Sequence, residues 1–436
     1  LARALHAGGE GGPGPQPLRE LVAQYFCTDA PQQRAKLVPL IQQASGGSDQ
    51  AVVEALRTTM LWPRVPDFEG TFPVELSSGR AVDVAYRLPA DYDPAQAHPV
   101  LVCLPDHGMA PSGTLARARA SLGDVVEGFI WVAPARALGG RFQQAPEAAG
   151  DLRRVVLHMR RLFHTDTDRL YVFGYGVGGE AAWMAAVAHG DLVAGAISLA
   201  SFPRVPFPEQ LYPLLLANLR NVPVLSVWRA PATNAPPRSR DALVAGFNRA
   251  LVVLAERMGV PVTGVELPRD SEGILDPPAD SVRALLGRRR APPGTPVSHW
   301  FRYPDQGQAD WLRQVAFSGD VWVAEQMSVL APPPLDRDRV VRDLLRGRQA
   351  YLGGRIEKRT ITIVTQKCAE IEVLIPWGLA GPDAPVRIVI NGRRRFARAI
   401  EPDLGALLEL AFHDRDFQRF SATRLSFTIH ADGSPP

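Results

Sequence analysis

Residues 170–179 read LYVFGYGVGG, an apolar run broken by glycine at 174, 176, 178 and 179, and they open onto EAAWMAAVAHG at 180–190. A short apolar run ending at glycine reads as a buried strand, and the small and apolar residues beyond it read as a helix lying close against that strand. Working outward, the same alternation extends from residue 99 to about 288. Strands are expected near 99–105, 129–133, 169–174, 194–200, 222–228 and 262–267, and helices near 113–122, 146–163, 178–189, 207–219, 239–258 and 278–288. The strands are mostly continuous apolar runs, as expected where helices cover both faces of the sheet. The fold class expected is therefore α/β, with a doubly wound, mostly parallel sheet.

Segments of different character flank this core. Residues 7–17 (AGGEGGPGPQP) predict a flexible arm, followed by helix-like stretches at 17–27, 30–44 and 48–61. Leu18, Leu21, Val22 and Tyr25 recur at helical spacing, so this segment is expected to pack on the main domain. Strands near 71–76 and 81–87 form a hairpin through Ser77-Ser78-Gly79. Past residue 290, APPGTP and LAPPPLDRD frame a connector, and 355–365, 369–376, 385–391 and 422–430 are strand-like, with an Asn391-Gly392 turn and one helix at 403–412. That pattern predicts an Ig-like β-sandwich. The organisation is thus a flexible arm and helical segment (1–66), an α/β domain (67–290), a connector (291–345) and a β-rich domain (346–436).

Length and composition narrow the function classes. At 436 residues the chain exceeds one ordinary core, and 46% hydrophobic with 21% charged residues is the balance of a globular protein. No run of eighteen apolar residues appears, so no transmembrane segment is expected. The net charge is +3, and of the 48 basic residues only Lys36, Lys358 and Lys367 are lysines. The arginine triplets 288–290 and 393–395 are short, separated and without interleaved aromatics, which argues against nucleic acid as a partner. Cys27, Cys103 and Cys368 form no C-x-x-C pair and no disulfide framework, so neither metal nor cofactor is expected.

The stretch 174–179 satisfies G-x-G-x-x-G between a strand and a helix, the dinucleotide-binding fingerprint. That fingerprint needs an acidic residue about twenty positions on, at the end of the next strand, to hold a ribose. Here the next strand, AGAISLASF, ends in Ser201-Phe202 without an acid, and two sheet strands already precede the glycines. A dinucleotide is disfavoured, while the backbone N–H groups of 177–179 leave anion binding open as a weaker reading.

Four segments carry a resemblance to a known family: YRLPADYDPAQAHPVLVCLPDHG (86–108), GDLRRVVLHMRRLF (150–163), DTDRLYVFGYGVGG (166–179) and PVLSVW (223–228). Over about residues 68–288 the chain resembles the α/β-hydrolase superfamily, in particular bacterial esterases and prolyl-oligopeptidase-like hydrolases. The resemblance implies a nucleophile elbow, G-x-S-x-G, followed along the chain by an acid and a histidine. Gly176 stands at the serine position. The acid loop, WRAPATNAPPRSRD (228–241), offers Ala232, Thr233 and Asn234 at the implied position, and the histidine loop, PRDSEGILDPP (268–278), contains no histidine. His107, Gly108 and Val177 would mark the vestigial oxyanion region.

Other residues offer little replacement chemistry. Ser198 and Ser201 read as small polar residues ending a strand, and His299, in HWFR, as a strand residue facing outward. Asp106 is assigned to its own loop, His158 and His164 to the surface, and Glu180 to a helix N-terminus where the macrodipole stabilises its charge. The function expected is that of a pseudoenzyme with a binding or scaffolding role for an unidentified small-molecule or protein ligand. The cleft would lie over Gly176, with His107, Met109, Tyr175, Val177 and Asn234 as candidate contacts, and the missing serine would leave a void for ligand or water. The alternative is an active ester or peptide hydrolase using other residues. The family likeness alone implies a secreted or cell-envelope location, and a first residue of Leu1 rather than Met fits a leader removed or trimmed.

Overall fold

A computed structural model of the chain describes residues 17–63, 67–136, 149–205, 208–269, 276–319, 321 and 334–429. The glycine-rich arm at 7–16, the expected helix start at 146–148 and residues 270–275 of the histidine loop lie outside the described residues. Three helices come first: α1 (Leu18–Phe26), α2 (Pro31–Ala44) and α3 (Asp49–Thr58). An eight-stranded sheet follows, built from β1 (Glu69–Glu75), β2 (Ala81–Arg87), β3 (His98–Leu104), β4 (Ile130–Pro134), β5 (Thr165–Tyr175), β6 (Gly195–Leu199), β7 (Val224–Arg229) and β8 (Val262–Leu267). Its order is β1-β2-β4-β3-β5-β6-β7-β8, antiparallel through β4 and parallel from β4 to β8. This is the α/β-hydrolase arrangement.

Alternate side chains of one strand supply opposite faces, and both faces are buried. Val100 and Val102 join a core with α5 (Asp151–Leu162) and α6 (Val177–Ala188), while Leu101 and Cys103 join a second core with α4 (Pro111–Leu122) and α9 (Ala279–Leu286). The first face also takes Leu211 of α7 (Pro208–Asn218) and Val244 of α8 (Arg240–Met258). Burial pushes the Cys103 thiol well above its ordinary range, in keeping with an inert core thiol. Among the described residues no helix is long and apolar enough to cross a membrane.

The β-rich part departs from the sequence reading. Its two sheets are ordered β10-β11-β14-β17 and β16-β15-β13-β12-β9, comprising β9 (Val297–Phe301), β10 (Gln308–Ala309), β11 (Leu312–Phe317), β12 (Ala350–Glu357), β13 (Thr360–Gln366), β14 (Cys368–Pro376), β15 (Gly381–Ile390), β16 (Arg393–Ile400) and β17 (Ser421–Thr428). Three strands therefore come from the segment expected to be a connector, which also holds α10 (Pro334–Arg348). The run 355–365 is not one strand: it turns at Lys358, whose φ is 54°. Phe301, Leu312, Leu352, Ile361, Ile371 and Ile388 share one core between the sheets, so the part is a sandwich. The parallel pairing of β13 with β15 departs from the antiparallel Ig pattern. The Asn391-Gly392 turn joins β15 to β16 with φ of 50° and 78°, both positive, as a two-residue hairpin turn requires.

The N-terminal helices dock chiefly on the far end of the chain rather than on the α/β domain. Leu21, Val22, Ile41, Val52 and Leu56 pack with Leu407, Leu408 and Phe412 of α11 (Leu404–Asp414). Arg34 seals this seam, its guanidinium 3.8 Å from the Phe412 ring centroid and 3.1 Å from Glu409 Oε1. Trp62 ties the segment to the α/β domain by donating to the Arg160 carbonyl (2.9 Å) and stacking on His164 at 3.7 Å. His164 and His158, the latter stacked on Phe72, are thus packed residues and not free surface ones. Burial lowers the pKa of both histidines.

At the junction between the α/β domain and the sandwich lies a buried ion network. Arg290 donates to Asp168 Oδ1 (3.0 Å) and Asp416 Oδ2 (2.5 Å), and Arg419 to Asp168 (2.8 Å) and Asp310 (3.1 Å). Burial alone would lower the Arg290 pKa, but Asp416 and Asp168 raise it; likewise Arg290 and Arg160 hold Asp416 below the usual carboxylate range in spite of its burial.

The docking of α1–α3 on α11 predicts that Leu408→Ala, at a fully buried position, costs about 2–5 kcal/mol. Hydrogen exchange should show the loss as faster exchange in α1 and α3 while β3 and β5 are unchanged. Uniform acceleration across the sheet would mean that the helices are not anchored there.

Candidate functional site

The site is built where β5 ends and α6 begins. Gly176 has φ 58° and ψ −118°, a conformation that strains any residue with a Cβ, and its N–H donates to the Leu199 carbonyl at 2.9 Å. The flanking glycines are needed for close approach. A Cβ on Gly174 would fall 1.9 Å from the Gly178 oxygen, and one on Gly178 would fall 2.1 Å from the Leu104 oxygen. The first turn of α6 is thereby pressed onto the ends of β5 and β3. This is the nucleophile-elbow geometry, with no nucleophile on it.

Asp106, two residues past the end of β3, supplies the missing volume. Its Oδ1 accepts the Val177 N–H at 3.0 Å and the His107 N–H at 2.8 Å. In this fold the oxyanion hole is formed by the N–H after the nucleophile and an N–H from the loop after β3. Both donors are thus turned onto one carboxylate oxygen belonging to the chain itself. A Cβ at Gly176 would lie 2.6 Å from Asp106 Oδ1 and 2.8 Å from its Cγ and Oδ2. The void expected at the elbow is filled, and Asp106 does more than cap its own loop. A carboxylate held this way fills the volume of a side chain at 176 and places negative charge against both N–H groups.

A cleft opens over this pair. Asp106, Gly176, Val177 and Glu180 line it together with Ala200, Ser201, Phe202 and Val244, with His107, Arg204 and Arg240 also contributing. The side chains of His107, Arg204 and Arg240 are exposed and Glu180 is buried. Ala200, with φ 51°, turns the chain at the end of β6. Gly108 has φ 70° and open space around it, so it shapes the loop without forming a wall.

The remaining candidate residues are not brought together here. Asn234 is exposed in the turn after β7 and is absent from the cleft lining, as are Met109 and Tyr175. The Tyr175 ring instead carries the Arg117 guanidinium 4.5 Å from its centroid, on the α4 side of the sheet. His299 is buried rather than outward-facing, because β9 lies against α7 where Asn218 bonds both the N–H and the carbonyl of Trp300. Its Nε2 lies 2.6 Å from the Gln306 carbonyl, and burial lowers its pKa. Ser198 is fully buried inside the sheet. Ser201 lines the cleft while its carbonyl accepts from Asn248, whose Oδ1 accepts from Ser226 at 2.7 Å. Asn248, which no motif singles out, therefore buttresses the cleft wall.

No protein-family model matches the sequence, and no curated protein matches it. Among solved structures, the chain is similar to a thermostable esterase (18% identity, 51% of this chain and 64% of that one, TM-score 0.38), and to poly(aspartic acid) hydrolase-1 from Sphingomonas sp. (13%, 51% and 98%, TM-score 0.39). It is also similar to dipeptidyl peptidase 4 from Porphyromonas gingivalis (14%, 47% and 33%, TM-score 0.33). The chain thus spans less than two thirds of the esterase and a third of the peptidase.

If Asp106 anchors the elbow, Asp106→Ala frees the Val177 and His107 amides and costs about 1.5–2 kcal/mol, the lower part of the range for charged hydrogen bonds because water reaches the site. Amide exchange at Val177 should accelerate at least tenfold. Unchanged protection there would show that the carboxylate does not hold that N–H.

Proposed function

We propose that this α/β-hydrolase-fold chain is catalytically inactive and uses its former active-site cleft for binding. The observation that carries the reading is the Asp106 carboxylate, which receives both oxyanion-hole donors and fills the space of a side chain at 176. Three further features agree with it. Position 176 has no side chain, the turn after β7 has no acid, and the segment 268–278 has no histidine. Catalysis requires donors that stabilise the transition state more than the ground state; donors already bound to a resident anion supply no such difference.

The cleft retains what a binding site needs. Phe202 and Val244 give it apolar walls, and Arg204 and Arg240 give it a cationic rim. A ligand with an apolar body and an outward-facing acidic group suits that distribution. Its acidic group would stay at the rim, because Asp106 and Glu180 repel negative charge at the floor.

The purified chain should neither hydrolyse p-nitrophenyl acetate above background nor be labelled by a fluorophosphonate. Labelling at a single serine would overturn the proposal. Gly176→Ser alone should lower the melting temperature, since its Cβ meets the Asp106 carboxylate at 2.6–2.8 Å, and should gain no turnover. Adding Asp106→Ala to it should recover part of the stability, a coupling that a double-mutant cycle measures, again without turnover. Substantial hydrolysis by either variant would reveal a histidine base delivered from elsewhere in the chain.

A further inference from the structure

A second polar site lies at the opposite end of the sheet, in the junction between the α/β domain and the sandwich. A cavity of about 70 Å³, several times the ~10–15 Å³ that one water needs, is lined by both parts of the chain. Four guanidiniums border it, and three have carboxylate partners: Arg153 with Asp191 at 2.6 Å, Arg290 with Asp416 at 2.5 Å, and Arg419 with Asp310 at 3.1 Å. The fourth, Arg160, is 1% exposed and donates from Nη1 only to the peptide carbonyl of Asp414 (3.0 Å). Among the described residues its Nε and Nη2 have no hydrogen-bond partner. Nε and Nη2 form the edge of a guanidinium that grips two oxygens of one oxyanion in parallel.

The unpaired groups around this cavity are of both kinds. Arg419 Nη2 and Trp311 Nε1 are further donors without a partner, whereas Asp191 Oδ1 is an acceptor without one. We propose that the cavity binds inorganic phosphate in a protonated form, with the free edge of Arg160 donating to its oxygens and Asp191 Oδ1 accepting its hydroxyl proton. Sulfate offers the same oxygens but no proton, and a site with a buried acceptor to satisfy rejects an analogue that lacks the matching donor. Burial lowers the Arg160 pKa to about 10, against the opposing pull of Asp416 and Asp414. An adjoining pocket shares Asp191, Arg290 and Asp310 with it and is lined also by the exposed Arg220.

The test is isothermal titration of the full chain with potassium phosphate and with potassium sulfate at matched ionic strength. Phosphate should bind saturably with one site per chain, and sulfate at least tenfold more weakly. Arg160→Gln, checked for folding by circular dichroism, should weaken phosphate at least tenfold. Should that variant not fold, crystals of the unaltered chain in arsenate decide the matter, with an anomalous peak expected beside Arg160. The proposal fails if phosphate gives no saturable heat or sulfate matches it, or if folded Arg160→Gln binds normally. It fails equally if the map shows only water in the cavity, or if an arsenic peak appears without solution binding, which would be an adventitious ion only.

Discussion

The contact that fixes the geometry of the cleft is that of Gly178 with the end of β3. A hydrogen in place of a Cβ lets the first turn of α6 approach the Leu104 carbonyl, where any other residue would collide at 2.1 Å. Helix α6 is buried almost throughout, including Trp183 and its alanines, so its position is enforced by both sheet and helices. With α6 so placed, the Val177 N–H points over the end of β3, and the residue two positions past that end comes within hydrogen-bond reach of it. The placement of Asp106 follows from backbone packing that has nothing to do with its charge.

Glycine at 176 and aspartate at 106 act as one unit, since a Cβ at 176 would lie 2.6 Å from Asp106 Oδ1. The elbow keeps a φ/ψ combination that strains a side-chain-bearing residue, and glycine removes that strain. The space released is taken by a carboxylate whose charge the two backbone donors and the start of α6 stabilise. An oxyanion hole is a pre-organised seat for negative charge; occupied by a permanent anion, it becomes a structural brace. Asp106 thus satisfies backbone donors that an empty elbow would leave to water.

Legibility in the sequence followed the range of the interactions. Strands β3 to β7 are visible because a strand buried on both faces must be largely apolar, and the elbow because close approach demands glycine. Asp106 was visible as a residue but not as a partner of Val177, since an aspartate after a strand is already explained by its own loop and the contact spans 71 positions. Strands β9 to β11 were read as a connector because HWFRYPDQGQADW mixes polar residues with turns, and their extended form comes from pairing with β12 and β14. The amphipathic stripe of α1 announced burial without naming the surface, and α11 lies almost four hundred residues away along the chain.

The two ends of the sheet do different work, and β5 joins them. Asp168 near its start is held by Arg290 and Arg419 at the sandwich junction, while Gly176 past its end forms the elbow, eight residues or roughly 26 Å further along. Every described residue lining the cleft falls between 106 and 244, so the sandwich contributes nothing to it. Among the described residues, neither appended part covers the cleft. Buried ion pairs such as Arg290–Asp416 add little net stability compared with apolar packing, but breaking one leaves a buried charge without compensation. That asymmetry suits a junction whose task is to fix the orientation of the sandwich, and it leaves Arg160, the one guanidinium there without a carboxylate partner, as the place where a ligand would contribute most.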